Sequence, residues 1–328
     1  SIWKYGYTPF NIDVTPFVNK DGSPNTLAVH LQNVEESSRW YPGAGLYRPV
    51  TLIQTGTSHL RDWGINVETK EWRWAENAAT IKLSADIESD YKTNCVVRFS
   101  THGQTIDVKP IASKYTRMYS HGKAIKMKIA NIDAPACANA TAELTLEDVK
   151  CWSPEHPQLY DLTVSIIADG GKGKVLDTKT VKYGIRTIEV NADGGFMLNG
   201  ETRKIKGVCL HHDLGMIGTA VNKAALIRQV ELLKSMGCDA IRTSHNTPSQ
   251  MQMEVYDSLG MMVMAESFDM WVYPKCKNGY SRFYKNWWQR DIQNLVLAHR
   301  LHPSIVMWSI GNEIPEQGSK EGNRMTRE

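Results

Sequence analysis

Ile305-Val306-Met307-Trp308-Ser309-Ile310-Gly311-Asn312-Glu313 is the stretch that decides the fold. Its first four side chains are apolar, two of them β-branched and one aromatic, as in a strand buried on both faces. Pro303 stands just upstream and stops the preceding helix, because proline lacks the N–H that a helix interior needs. Gly311 closes the run, and two polar side chains follow at once. In parallel α/β sheets and barrels, ligands meet the protein at the carboxyl ends of strands. Asn312 and Glu313 therefore stand where chemistry is done, on a rigid support. A surface glutamate opening a loop is the plainer reading of an isolated Asn-Glu pair, so the neighbouring segments have to decide.

Upstream, the same kind of strand recurs between helices. Lys204 to Cys209 reads as a strand, after a hairpin at Phe196 to Glu201. Asn222 caps a helix with Leu226, Ile227, Val230 and Leu233 on its apolar side and Gly237 at its end. Ala240-Ile241 marks the second strand. Thr247-Pro248-Ser249-Gln250 reads as a capping box with proline at the first helical position, so a helix is predicted from there to Gly260. Met261 to Ala265 is the third strand, and a helix from about Lys285 to Leu301 precedes the fourth. Three βα units and a further strand predict a parallel sheet, most simply the first half of a (β/α)8 barrel over residues 187–328. The polar stretch after Pro315 holds no further strand.

Each of these strands runs into polar residues: His211-His212-Asp213, then Arg242 to Asn246, then Glu266 with Asp269 and Trp271, then Asn312-Glu313. One histidine alone is usually structural, and Arg242 alone would be an ion-pair partner. Four consecutive strands that converge on one rim argue for a functional site. A strand-borne glutamate beside an amide and histidines suits glycoside cleavage, with Glu313 as general acid/base. Asn312, His211 and His245 can bind sugar hydroxyls, Arg242 can orient a carboxylate, and Trp271 is either a stacking face or a core residue.

The front of the chain is β-rich. Between residues 58 and 186, strands are predicted at Trp63–Glu68, Ala79–Ile87, Asn94–Ser100, Ile125–Ile129, Ala142–Leu146, Tyr160–Ile167 and Lys174–Val181. Their short, turn-separated pattern predicts an immunoglobulin-like β-sandwich without catalytic groups, in effect a spacer. Residues 1–57 contain the alternating run Thr26–Leu31 and the run Val50–Ile53, both predicted as strands, in a segment with too few strands to close a sandwich. Ser1-Ile2-Trp3-Lys4 begins inside a strand-like pattern, which suggests a trimmed start.

The 328 residues carry 41% hydrophobic and 22% charged side chains and a formal charge of +3, so a folded multidomain chain is expected, with no nucleic-acid or membrane partner. Six scattered cysteines form no CxxC pair and are expected to be free and mostly buried thiols.

These residues resemble glycoside hydrolase family 2, the β-galactosidase and β-glucuronidase group, over nearly the whole chain. Asp239-Ala240-Ile241-Arg242-Thr243-Ser244-His245 is similar to a family stretch that usually begins with Asn. Trp308 to Glu313 is similar to the acid/base signature. Tyr7-Thr8-Pro9-Phe10 and Ser38-Arg39-Trp40 through Arg48 resemble the N-terminal jelly roll, and Gly207 to Gly215 resembles the β-galactosidase branch. The resemblance implies a jelly roll, a sandwich and a barrel. It also implies retaining hydrolysis of terminal β-galactosides, with Glu313 as acid/base and with Glu266, Arg242, His211, His245 and Asn312 in the sugar pocket. Asp213 and Trp271 join them as substrate-binding candidates.

The family nucleophile is a second glutamate near the seventh strand, beyond Glu328, so the chain is expected to be an inactive fragment truncated at both ends. Glu266 is the nearest substitute by position, but the resemblance reads it as pocket support. No cofactor or metal is expected: Met270 and Val272, read against the magnesium site of larger relatives, cannot ligate a hard cation. A carbohydrate is the expected partner, and a homo-oligomer could cover the open half barrel. The compartment stays open between bacterial periplasm and cytoplasm. A β-glucuronidase, a β-mannosidase or a non-catalytic carbohydrate-binding protein are the other readings.

Overall fold

A computed structural model describes residues 3–39, 45–89, 94–112 and 136–327. Two antiparallel sheets form the sandwich. Its strands are β1 (His59–Arg73), β2 (Ala78–Ser89), β3 (Val96–Thr101), β4 (Gln104–Val108), β5 (Ile111–Ala112), β6 (Ala136–Leu146), β7 (Tyr160–Ile167) and β8 (Val175–Tyr183). One sheet has the order β1-β2-β6-β5 and the other β4-β3-β7-β8. Period-2 alternation sets which face is inside. Ile81, Leu83, Ala85 and Ile87 of β2 point inward, against Val97 and Phe99 of β3 and Leu162, Val164 and Ile166 of β7. Each buried Leu, Ile or Phe contributes about 1.5–3 kcal/mol. The two short strands β4 and β5 escape the sequence reading, and the expected strand Ile125–Ile129 lies outside the described residues.

A small sheet, β9 (Ile188–Asn191), β10 (Gly195–Leu198) and β11 (Glu201–Thr202), leads into the half barrel. There β12 (Gly207–Leu210), β13 (Ala240–Thr243), β14 (Met262–Glu266) and β15 (Ile305–Ser309) pair in parallel, in chain order. The helices α1 (Lys223–Ser235), α2 (Gln250–Leu259) and α3 (Ser281–His299) connect them, and α4 (Lys320–Arg327) ends the chain. Asn222 caps α1 as expected, its side chain accepting from the Ala225 N–H. The capping box of α2 lies two residues later than predicted, at Ser249 and Gln252. Both Thr247 and Ser249 fit the motif, but the carbonyls of Thr247 and Pro248 accept from the Arg48 guanidinium instead of opening the helix.

Sandwich and half barrel are joined by specific bonds. The Trp152 indole N–H donates to the Asp257 carbonyl at 2.9 Å. Arg186 donates to the carbonyls of Pro303 and Ile305, both at 2.5 Å, where β15 begins.

The front segment departs from expectation. Among its described residues there is no strand at Thr26–Leu31 or Val50–Ile53, only a 3-10 turn at Thr15–Phe17. Alternation specifies which face a strand would bury but does not provide the neighbouring strand that satisfies its N–H and C=O groups. Leu27, Val29, Leu31 and Leu52 are accordingly exposed, Leu52 at 83%. The segment instead touches the half barrel at single points. Tyr5 packs on Phe268 and Tyr280 and donates to Asn246 at 2.9 Å, and Arg48 donates to the Thr247 carbonyl at 2.7 Å. The cysteine expectation is also corrected: Cys95 is buried, but Cys151, Cys238 and Cys276 are half-buried and Cys209 is exposed, all as free thiols.

Candidate active site

The ends of β12 to β15 share one edge of the sheet, and Glu266, the last residue of β14, is its centre. Its side chain is 0% exposed. A carboxylate so buried is costly unless fully paired, and here the pairing is dense. Arg242 donates to both oxygens at 2.9 Å, His245 Nδ1 lies 2.7 Å from Oε1, and the Ser309 hydroxyl donates to Oε2 at 2.5 Å. Burial pushes the carboxyl pKa up, but the bonds from His245, Ser309 and Arg242 outweigh it and hold the group below its ordinary range.

Arg242 also donates from Nη2 to Asn312 Oδ1 at 2.9 Å. Asn312 Nδ2 donates to Asp269 Oδ1 at 3.0 Å. The amide orientation follows from the partners, since a guanidinium only donates and a carboxylate only accepts. The Asn312 N–H donates to the Phe268 carbonyl at 2.8 Å, and its own carbonyl accepts from Lys275 Nζ at 2.6 Å. One Nδ2 hydrogen is left over from this set of bonds. Asp269 in turn is clasped by Arg39, with bonds of 2.8 and 2.6 Å. Burial raises the Asp269 pKa, and the bonds from Arg39 and Asn312 more than reverse this.

Glu313 follows Asn312 on the rim. Its φ is 45°, its side chain is 76% exposed, and Lys275 Nζ lies 3.7 Å from Oε2. The carboxylate thus stands at the open edge of the network, beside a cation. His211 meets His245 edge-on at 5.1 Å between ring centres. Burial first, and then His245, lowers its pKa. His212 turns the other way, its Nε2 3.1 Å from the Tyr7 hydroxyl. Burial, and then Arg48, brings its pKa down to about 4. Both shifts favour the neutral ring.

Two further expected ligands have protein partners of their own. Asp213 accepts from the Gly215 N–H at 3.2 Å and shapes its own loop. Trp271 is no stacking face: it is 3% exposed, stacks on Tyr284 and donates to the Ile310 carbonyl at 2.7 Å. Three groups escaped the sequence reading as site members: Ser309, Lys275 and the Arg39–Asp269 pair. Ser309 left a signal, as the one polar side chain in an apolar strand, and Asp269 was read on the rim without its partner Arg39. Among the described residues no group of three or more His, Cys, Asp and Glu is placed to hold a metal.

A profile described as "Glycosyl hydrolases family 2, TIM barrel domain" matches residues 188–326, and one described as "Glycosyl hydrolases family 2" matches residues 58–186. The chain is similar to β-galactosidase BoGH2A of Bacteroides ovatus, 38% identical over 96% of this chain and 35% of that protein. It is 34% identical to a putative β-glucuronidase of Formosa agariphila, over 94% of this chain and 27% of that protein. A solved glycosyl hydrolase family 2 member from Bacteroides cellulosilyticus superposes with a TM-score of 0.79 at 29% identity, covering 98% of this chain and 39% of that one. The chain spans between about a quarter and about a third of the length of these curated relatives. With its sandwich and its half barrel both matched to one family, the chain belongs to glycosyl hydrolase family 2.

Proposed function

We propose that this chain carries the acid/base half of a retaining exo-β-glycosidase acting on terminal β-galactosides, with Glu313 as the general acid/base. One observation carries the reading. Asn312 and Glu313 stand at the carboxyl end of β15, with the Asn312 amide set by Arg242 on one side and Asp269 on the other. A sugar oxygen arriving there is offered an oriented amide hydrogen, and Glu313 lies next in the chain to protonate a leaving group. Arg242 then orients Glu266 of the protein rather than a carboxylate of the substrate.

The charges of the rim favour a neutral sugar. Arg242 is matched by Glu266, Arg39 by Asp269, and Lys275 by Asp269 and Glu313. This set has no surplus cation for a uronic acid. The β-galactosidase name of the Bacteroides ovatus relative points the same way. The name of the Formosa agariphila relative supports the second reading, a β-glucuronidase, which requires a cation from outside this rim.

Retention needs a second carboxylate about 5–5.5 Å from the first. Glu266 is committed to its four donors, so we propose that these 328 residues alone turn over no glycoside. We further propose boundaries after residues 57 and 186, with an immunoglobulin-like sandwich in the middle. The Ser38 to Arg48 motif is what ties residues 1–57 to a jelly roll.

The natural full-length polypeptide, assayed on a panel of nitrophenyl β-glycosides, tests the function. Turnover of the galactoside is expected, together with a loss of about 10²–10⁴-fold in Glu313→Gln and preserved sugar binding. Preference for the glucuronide selects the second reading, and sugar binding without turnover of any glycoside selects a carbohydrate-binding protein.

A further inference from the structure

Lys275 lies on the loop between β14 and α3, and its side chain is only 11% exposed. An ammonium in such a place needs partners for its three hydrogens. It has one hydrogen bond, to the Asn312 carbonyl at 2.6 Å, and two ion-pair contacts, with Asp269 Oδ1 at 3.5 Å and Glu313 Oε2 at 3.7 Å. Two of these bear directly on Glu313. The Asn312 carbonyl belongs to the peptide that leads into Glu313, whose φ of 45° is left-handed. That conformation costs a residue with a Cβ about 1–2 kcal/mol and persists only where the surroundings enforce it. Here the Phe268 carbonyl takes the Asn312 N–H, and Lys275 grips the Asn312 carbonyl. The same ammonium faces the Glu313 carboxylate.

We infer that Lys275 is a positioning residue for Glu313, holding both the strained peptide before it and its carboxylate so that the acid is presented toward the departing oxygen. This rests on the acid/base reading of Glu313. Lys275 acts through Glu313 and not on the sugar. Asp269, clasped by Arg39, keeps the ammonium in place, so the front segment takes part at one remove.

A residue that aims a general acid matters in proportion to how much the leaving group needs a proton. Phenolate needs help, and 2,4-dinitrophenolate leaves without it. The test is kcat/KM of the natural full-length polypeptide and its Lys275→Met variant on phenyl and 2,4-dinitrophenyl β-galactosides. The expected result is a loss of about 10–100-fold on the phenyl substrate and less than about twofold on the dinitrophenyl substrate. Lys275→Arg, which keeps a charged donor, should recover most of the loss. Equal losses on the two substrates, or no loss on the phenyl one, overturn the proposal. Should Lys275→Met fail to fold, Lys275→Gln, which also removes the charge, decides by the same ratio: a loss confined to the phenyl substrate supports the role, and equal losses or none overturn it. No turnover of any glycoside by the unsubstituted polypeptide is a different result, which removes the acid/base reading and this role with it.

Discussion

The sandwich and the strand-end rim use burial in opposite ways. The sandwich hides Ile, Leu, Val, Ala and Phe and leaves most of its ion pairs, such as Arg98–Asp107 and Lys182–Asp161, open to water, with Glu88, buried opposite His59, as the exception. The rim hides charge. Glu266 is sealed among Arg242, His245 and Ser309, and Asp269 among Arg39, Asn312 and Lys275. A region built only for stability has no reason to bury carboxylates, because hydrophobic packing of the same volume is as good or better. A region that must hold polar atoms in fixed directions does. Charge placement therefore separates the two parts more sharply than secondary structure does.

Three substitutions would break or sharpen that contrast. Glu266→Ala leaves Arg242 facing a buried gap and should destabilise the half barrel by about 3–5 kcal/mol, read as a lower midpoint in urea unfolding. A midpoint near that of the unsubstituted chain would mean that the rim is not the buried ionic centre described above. The next effect belongs to His212. Its pKa is depressed to about 4, so between there and 6.5 the unfolded chain holds the proton and the folded chain does not. The stability it contributes is complete above pH 6.5 and is lost as pH falls toward 4, at most about 3 kcal/mol. His212→Gln should flatten that part of the stability–pH curve, and an unchanged slope would place the dependence elsewhere. The smallest effect is expected in the sandwich: Asp107→Asn removes an exposed pair and should leave the unfolding midpoint where it was.

Local features were legible in the sequence, and long-range pairings were not. Ile305 to Ser309 reads as a strand because a β-branched and aromatic run lies between Pro303 and Gly311, and neither boundary depends on the rest of the fold. Asn222 likewise announces α1 by local chemistry. The start of α2 was misread because Thr247 and Ser249 both fit a capping box, and Arg48, 199 residues away from Thr247, chooses between them. Trp271 could not be sorted between a stacking face and a core until Tyr284 and Ile310 were placed around it. Arg39 meets Asp269 across 230 residues of chain, and no spacing rule reaches so far. The alternation of Leu27, Val29 and Leu31 was a true pattern read one step too far, since periodicity does not supply the neighbouring strand.

Arg186 gives the sandwich a part beyond that of a spacer. Its two bonds fasten the first residues of the strand whose opposite tip bears Asn312 and Glu313. A rod clamped at its base moves least at its point when the clamp is stiff. The β-sandwich is in this sense an abutment, and loosening it would blur the aim of a carboxylate it never touches.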